Sequence, residues 1–354
     1  MLIFSFQLAF DRLYSQASSR DKCTLYSDRN LINRRNVKAH VNSAVKPAHS
    51  FFDLCLKARV VAAALEIMKL NSVDDTCADV PKEDASKATK KNYLDKLAGQ
   101  IVNGYVLNTA EHKELANRIM GEQRDSQSAE SVDFNECDDM LSYQKALMEY
   151  GLLVLNFKDA LSEGDGERNF RCWKFFLLHL RNDKGSSKYA LEALYMMFQV
   201  YALLSPKAAH ELIWNRSSKL RNCRGGNIPL DLLLEFFNRL LKDAVKKLGP
   251  HASQKAIDRI CRSITTTKDL MDRFDAELHI HRQSGRHVAK SSDEDLKKVV
   301  KELVDQKAMR HTPGRVYRRY HRMKSSFLWN FDIQDMHKWI NNHKKYIETK
   351  RRAR

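Results

Sequence analysis

Three acidic residues stand first among the side chains of this chain that could do chemistry. Asp165 sits in a Gly-flanked break, Gly164-Asp165-Gly166, where a side chain can be aimed, and Asp231 and Glu235 share one face of a candidate helix. Metal-dependent phosphoryl transfer on DNA needs two or three such carboxylates, which hold Mg2+ or Mn2+ ions against the attacking and leaving oxygens. The competing reading is structural: Asp231 favours a helix N-terminus, Glu235 pairs with Arg239 or Lys242, and Asp165 fills a turn. On spacing alone the structural reading is the stronger, because charged helix stripes are usually solvated.

His279, His281 and His287, with Glu277, form an H-x-H cluster and one more. A metal site needs these ligands to converge within a defined second shell, and their place in a polar loop favours helix-end and surface histidines. No G-x-S-x-G, P-loop or G-x-G-x-x-G occurs, so nucleophilic and nucleotide chemistry have no motif to rest on. Trp173, Trp214 and Trp339 read as packing anchors rather than base-stacking platforms.

A basic segment carries a second kind of chemistry. Arg310, His311, Arg315, Arg318, Arg319, Arg322 and Lys324 have no acid among them, and Tyr317 and Tyr320 are interleaved. Cations neutralise phosphates and aromatic rings stack on exposed bases, which makes Arg315, Arg318, Arg319, Arg322 and Lys324 candidate contacts to DNA or RNA. The alternative of equal weight is a solvated basic tail with both tyrosines packed locally. Lys350, Arg351, Arg352 and Arg354 are similar to a nuclear import signal, which implies an import receptor as partner and a nuclear location.

Composition agrees with such partners. The 354 residues hold 61 Lys+Arg against 44 Asp+Glu, and 19 basic against 8 acidic residues lie between 285 and 354. That stretch therefore supplies +11 of the net +17, an asymmetry typical of chains with an acidic partner. Seven cysteines, an odd number at wide spacings without CxxC, fit a reduced, intracellular protein and no zinc finger. The apolar start lacks a basic leader and a cleavage site, and no apolar run reaches about 18 residues, so neither a signal peptide nor a membrane span is expected.

The elements that must position these residues are helices. With 12 Gly and 6 Pro, turns are scarce, and apolar spacing predicts helices over 2–14, 25–35, 51–70, 92–107, 110–120, 139–161, 169–180, 189–204, 206–214, 229–248, 253–278, 292–307 and 332–346. Residues 189–204 are apolar nearly all round and should form the central helix. In 229–248, Leu230, Leu233, Leu234, Phe237, Leu240, Leu241, Ala244 and Leu248 form an apolar face read as core. Asp231, Glu235, Asn238 and Lys242 run beside it as a polar stripe. Residues 121–139 are acidic and poor in apolar side chains, a solvated loop. The fold class is mainly α, a multi-helix bundle. It divides into an N-terminal helical segment (1–70), polar linkers with two helices (71–139), a central helical core (140–283) and a basic C-terminal helical region (284–354).

Several strings together resemble one eukaryotic family, the domain of unknown function six-five-eight-nine. They are Gly164-Asp165-Gly166, Trp173-Lys174, Lys188 to Ala193, Trp214-Asn215-Arg216, Gly226 to Leu232, Glu235 and Asn238. Leu248-Gly249, Ala256-Ile257 and Pro313-Gly314-Arg315 fit the same pattern. The family is similar in habit to mobile-element proteins, and its members usually carry an upstream Gly-Asp-x-Leu-Thr-like motif. That motif is absent here, which agrees with the abrupt start at Met1 and implies that the family's N-terminal part is lacking. If the family is a transposase derivative, this chain is the C-terminal part of a larger α/β, ribonuclease-H-like protein, and Glu235 is a candidate last carboxylate. Phe236 stands where the resemblance implies His. The combined reading is a nuclear, mobile-element-derived protein with nucleic-acid contact through its basic end and no surviving catalysis. A DNA nuclease fragment and a helical interaction module without nucleic acid are the alternatives.

Overall fold

A computed structural model describes residues 2–77, 80–82, 84–106, 113, 116–117, 137–182, 187–219, 223–249, 253–259, 262–263 and 292–352. In chain order the elements are α1 (Leu2–Leu13), α2 (Leu25–Leu31), α3 (Val45–Met68), α4 (Lys87–Tyr105), α5 (Asp139–Glu163), α6 (Gly166–Asn182) and α7 (Ser187–Phe198). They continue with α8 (Pro206–Trp214), β1 (Ser217–Lys219), β2 (Asn227–Pro229), α9 (Leu230–Leu248), α10 (Ser292–Asp305) and α11 (Ile333–Arg352). The protein is mainly helical, as its spacing predicts. Among the described residues the strands are a two-stranded antiparallel hairpin, with Ser217 opposite Pro229 and Lys219 opposite Asn227.

Two helices carry the core. α3 has apolar residues round most of its girth, and Phe51, Phe52, Leu54, Cys55, Leu56, Ala62, Ala63 and Leu65 are all buried, which is how a helix enclosed by others must read. α10 lays Val299, Val300 and Leu303 onto it, and α5 packs along another side. α5 begins at a local signal, the Asp138 carboxylate accepting the Leu141 N–H at 3.1 Å. It stops at Gly164, whose φ of +72° is the left-handed turn a helix end favours. α1 is held on α5 by apolar contact and by two tyrosine hydroxyls, Tyr143 donating to the Leu13 carbonyl at 2.6 Å and Tyr150 to the Ser5 carbonyl at 3.1 Å.

An ion pair is enclosed in this core. The Arg59 guanidinium on α3 donates to the carbonyls of Cys55 and Cys23 at 2.9 and 2.8 Å and to Gln144 Oε1 at 2.7 Å. It also lies 2.9 Å from the buried Asp28 carboxylate. Every face of the guanidinium is met, which is the condition for burying it. A single hydrophobic cluster runs from Phe6 to Met336, so α10 and α11 share one core with the helices of the N-terminal half.

Two expectations are corrected. Residues 189–204 do not form the central helix. Ala190, Ala193, Leu194 and Met196 face inward, but Tyr201, Leu203 and Leu204 are exposed. The backbone also leaves the α form for a π turn at Gln199–Leu203, which rotates the face that continued α-helical spacing would bury. Nor is the apolar face of α9 core: Leu230, Leu234, Phe237 and Leu241 are 43, 59, 55 and 37 % exposed. Among the described residues α9 packs mainly against the small hairpin. Amphipathic spacing defines an apolar face but not what meets it. Most of the expected helix at 110–120, the acidic stretch 121–136, Cys261, the cluster of Glu277, His279, His281 and His287, and Arg354 lie outside the described residues.

Candidate nucleic-acid interface

The basic segment between α10 and α11 has few helical hydrogen bonds of its own, so its backbone needs other partners. Buried carboxylates supply them. Asp21 accepts the N–H groups of Arg318 and Arg319 at 3.2 and 3.0 Å. Asp139 accepts those of Tyr317 and Met323 at 3.1 and 3.2 Å, and Asp138 accepts that of Thr312 at 2.8 Å. The segment is thus fastened from beneath by acids that no longer face water. Asp138 and Asp139 end the stretch expected to be a solvated acidic loop. They are the residues sequence reasoning missed, and their one local signal is the N-cap position of α5.

The five candidate cations separate into two groups. Arg315 is half-buried and internally engaged. Its guanidinium pairs with the Asp138 carboxylate, Nε lying 3.0 Å from Oδ1, and donates to the carbonyls of Gln306, Lys307 and Arg310, which follow α10. Arg318, Arg319, Arg322 and Lys324 have exposed side chains, and Lys324 lies over the Trp329 ring at 5.2 Å. The tyrosines are not stacking platforms. Tyr317 is buried and donates to the Lys22 carbonyl at 2.5 Å. Tyr320 packs on Tyr143 with ring centroids 4.9 Å apart, and burial pushes its hydroxyl up to about 12. Lys350, Arg351 and Arg352 continue the backbone of α11.

Two of the three carboxylates with candidate catalytic chemistry, Asp165 and Asp231, hold structural posts. Asp165 caps α6, accepting the Arg168 N–H at 3.0 Å, and its other oxygen lies 3.3 Å from the Arg168 guanidinium. Asp231 is exposed in the first turn of α9 and offsets the charge of Arg216, whose guanidinium burial pushes down from its ordinary value. Glu235 is exposed further along the same helix. Among the described residues no group of three His, Cys, Asp or Glu side chains is placed to hold a metal ion. Asp165, Asp231 and Glu235 do not come together in such a group.

The strings that carry the family resemblance do meet in space. The Asn227 amide donates to the Ser162 carbonyl at 3.0 Å, just before Gly164, and the Leu230 N–H donates to the Arg216 carbonyl at 3.0 Å. Gly164 lies against Asn227 and Ser217, and Gly166 against the backbone of Ile213 and Trp214. Gly164-Asp165-Gly166, Trp214-Asn215-Arg216 and Gly226 to Leu230 thus build one junction between the α5–α6 turn, the end of α8 and the hairpin.

Fold and junction together define a mainly helical protein in which three of these strings meet at one packing junction. The chain belongs to the family of unknown function DUF6589, whose model matches residues 6–287. Pro313-Gly314-Arg315 and the basic segment fall beyond the matched residues, although they pack into the same core. Comparison with the curated proteins and with the solved structures gave no match.

Proposed function

We propose that this chain binds DNA or RNA through the outer face of residues 318–324, with Arg318, Arg319, Arg322 and Lys324 meeting phosphates. The observation that carries the reading is the arrangement of charge around the segment. The acids that fasten it, Asp21, Asp138 and Asp139, are buried, so the surface above them is left to cations. A fixed backbone presenting exposed guanidinium groups loses less conformational freedom on meeting a phosphate chain than a mobile tail does. Arg315 holds the segment in place and makes no phosphate contact, and Tyr317 and Tyr320 stack on no base. Recognition is then backbone-directed and carries no sequence preference of its own.

The same reading assigns Lys350, Arg351, Arg352 and Arg354 to an import receptor and the chain to the nucleus, and it suits the mobile-element ancestry that the resemblance implies. The test is binding of the full chain to a labelled oligonucleotide across a salt series. Affinity should fall linearly with log salt, and R318A/R319A/R322A should weaken it at least tenfold and flatten the slope by about 2 to 3. Binding that ignores salt, or an unchanged triple variant, would overturn the proposal. Deletion of residues 350–354 should abolish nuclear accumulation of a tagged chain, and unchanged accumulation removes the import role.

A further inference from the structure

The turn that follows α2 encloses a cavity of about 310 Å³ lined by Arg29, Asn30, Asn33 and Arg35, and we propose that it binds a phosphate group. This is independent of the nucleic-acid reading, which uses the face of residues 318–324. The chain reverses here because Asn33 takes a left-handed φ of +52°, a conformation that asparagine adopts more readily than most side chains. The carbonyls of Asp28, Arg29 and Asn30, in the last turn of α2, accept the N–H groups of Ile32, Arg34 and Asn33 at 3.1, 2.9 and 3.1 Å. The negative end of this short helix is therefore closed by its own turn.

The lining selects the ligand. It holds two guanidinium groups, two carboxamides and no acid. Arg29 is fixed before any ligand arrives. Its Nε donates to the Val37 carbonyl at 3.1 Å, one terminal nitrogen to Asn30 Oδ1 at 3.0 Å and the other to the Arg35 carbonyl at 3.2 Å. The guanidinium also lies 5.3 Å from the centroid of the Tyr26 ring. These bonds use three of the five N–H groups of a guanidinium and leave one on each terminal nitrogen. All three acceptors are neutral, so the charge of Arg29 is not cancelled. The bond to Asn30 engages its oxygen and leaves its NH2 group as a donor. Arg35 is exposed, and among the described residues no hydrogen bond or ion pair engages its side chain. The neighbouring acids are spent elsewhere: Asp28 lies 2.9 Å from Arg59, and Asp295 lies 2.8 Å from Arg34. Two uncancelled cations with further N–H donors around one cavity suit a compact, doubly charged oxyanion. A carboxylate supplies one charge and two oxygens, too few for this set. No apolar side chain lines the cavity, whereas sites for organic groups are lined mainly by apolar ones. The phosphate itself is therefore what is recognised, whether a small monoester or the end of a nucleic-acid strand carries it.

Calorimetric titration of the full chain with inorganic phosphate tests this. Saturable binding is expected, and it should strengthen as the pH rises through about 6, where phosphate gains its second charge. Arg35→Ala removes an exposed side chain that holds nothing in place, so the fold should stand while phosphate affinity falls about tenfold. Arg29→Lys keeps the charge but loses the fork and should also weaken binding. R318A/R319A/R322A should bind phosphate as the natural chain does, which separates the cavity from the nucleic-acid surface. In that triple variant, glycerol phosphate and an oligonucleotide with a terminal phosphate distinguish the sources: the cavity serves the one whose binding R35A weakens. Absence of saturable phosphate binding overturns the proposal. So does an R35A chain that binds phosphate as tightly as the natural one, or a triple variant that has lost phosphate binding.

Discussion

The guanidinium of Arg59 lies 2.9 Å from the carboxylate of Asp28 with both side chains sealed from solvent. Burial alone would lower the arginine, but the Asp28 charge and hydrogen bond together with the neighbouring Cys55 and Tyr143 more than offset it, so Arg59 stays charged. Neither group is replaceable singly. Arg59→Met leaves Asp28 as an uncompensated buried acid and removes the guanidinium hydrogen bonds to the Cys23 and Cys55 carbonyls and to Gln144. A loss of about 3–5 kcal/mol is expected, read as a lowered urea midpoint. The pair itself is not indispensable: R59M with Asp28→Leu should recover part of the loss, and a double variant weaker than R59M would contradict this account.

Arg315 makes a second prediction, which separates holding from binding. Its planar fork spans Asp138 and three carbonyls that follow α10, a geometry lysine cannot reproduce. Arg315→Lys should cost about 2–4 kcal/mol and raise amide exchange of residues 312–323. R319A should leave both unchanged, because Asp21 holds the Arg319 N–H and not its side chain. Equal effects from the two variants would show that Arg315 is no more structural than its neighbours.

What was legible in the sequence was local. The C-terminal end of α5 is marked by Gly164, and Ser205 before Pro206 marks α8, each by the residue type its own backbone requires. Ser253 likewise caps the helical residues 254–259. The burial of Arg59 was not legible, because the groups that satisfy it come from residues 23, 28 and 144, which no helical spacing relates to it. The same holds for the basic segment. Its cations are visible in sequence, but the division between Arg315 and the exposed Arg318 and Arg319 depends on Asp21 and Asp138, each more than a hundred residues away. For α9, spacing identified the apolar face correctly, and only the packing shows it uncovered.

The junction built by the family strings predicts a strict requirement for glycine at one position. A Cβ on Gly166 would lie 2.6 Å from the Ile213 carbonyl oxygen and 3.0 Å from the Trp214 Cα, both backbone atoms that cannot swing aside. Gly166→Ala should push α6 from the end of α8 at a cost of about 1–3 kcal/mol. Gly104, in α4, meets nothing within 4 Å, so Gly104→Ala should instead stabilise by about 0.5–1 kcal/mol through helix propensity. Thermal melting of the two variants should therefore move in opposite directions, and a neutral G166A would mean that the junction yields.

His179 ties stability to pH. It is buried between the rings of Tyr150 and Phe327, with centroids 4.9 and 6.5 Å away, and its Nδ1 has no hydrogen-bond partner. Burial, reinforced by the Arg12 charge, holds the imidazole neutral down to about 3. In the unfolded chain it protonates near 6.5. Between those values the unfolded state binds a proton that the folded state refuses, so this contribution is complete above about pH 6.5 and is lost as the pH falls toward 3. About 3 kcal/mol should be lost from this residue alone between pH 7 and pH 4. His179→Phe keeps an aromatic ring in the cluster and removes the titration. Urea midpoints at the two pH values should therefore fall less for H179F than for the natural chain, and an equal fall in both would exclude His179 as the group responsible.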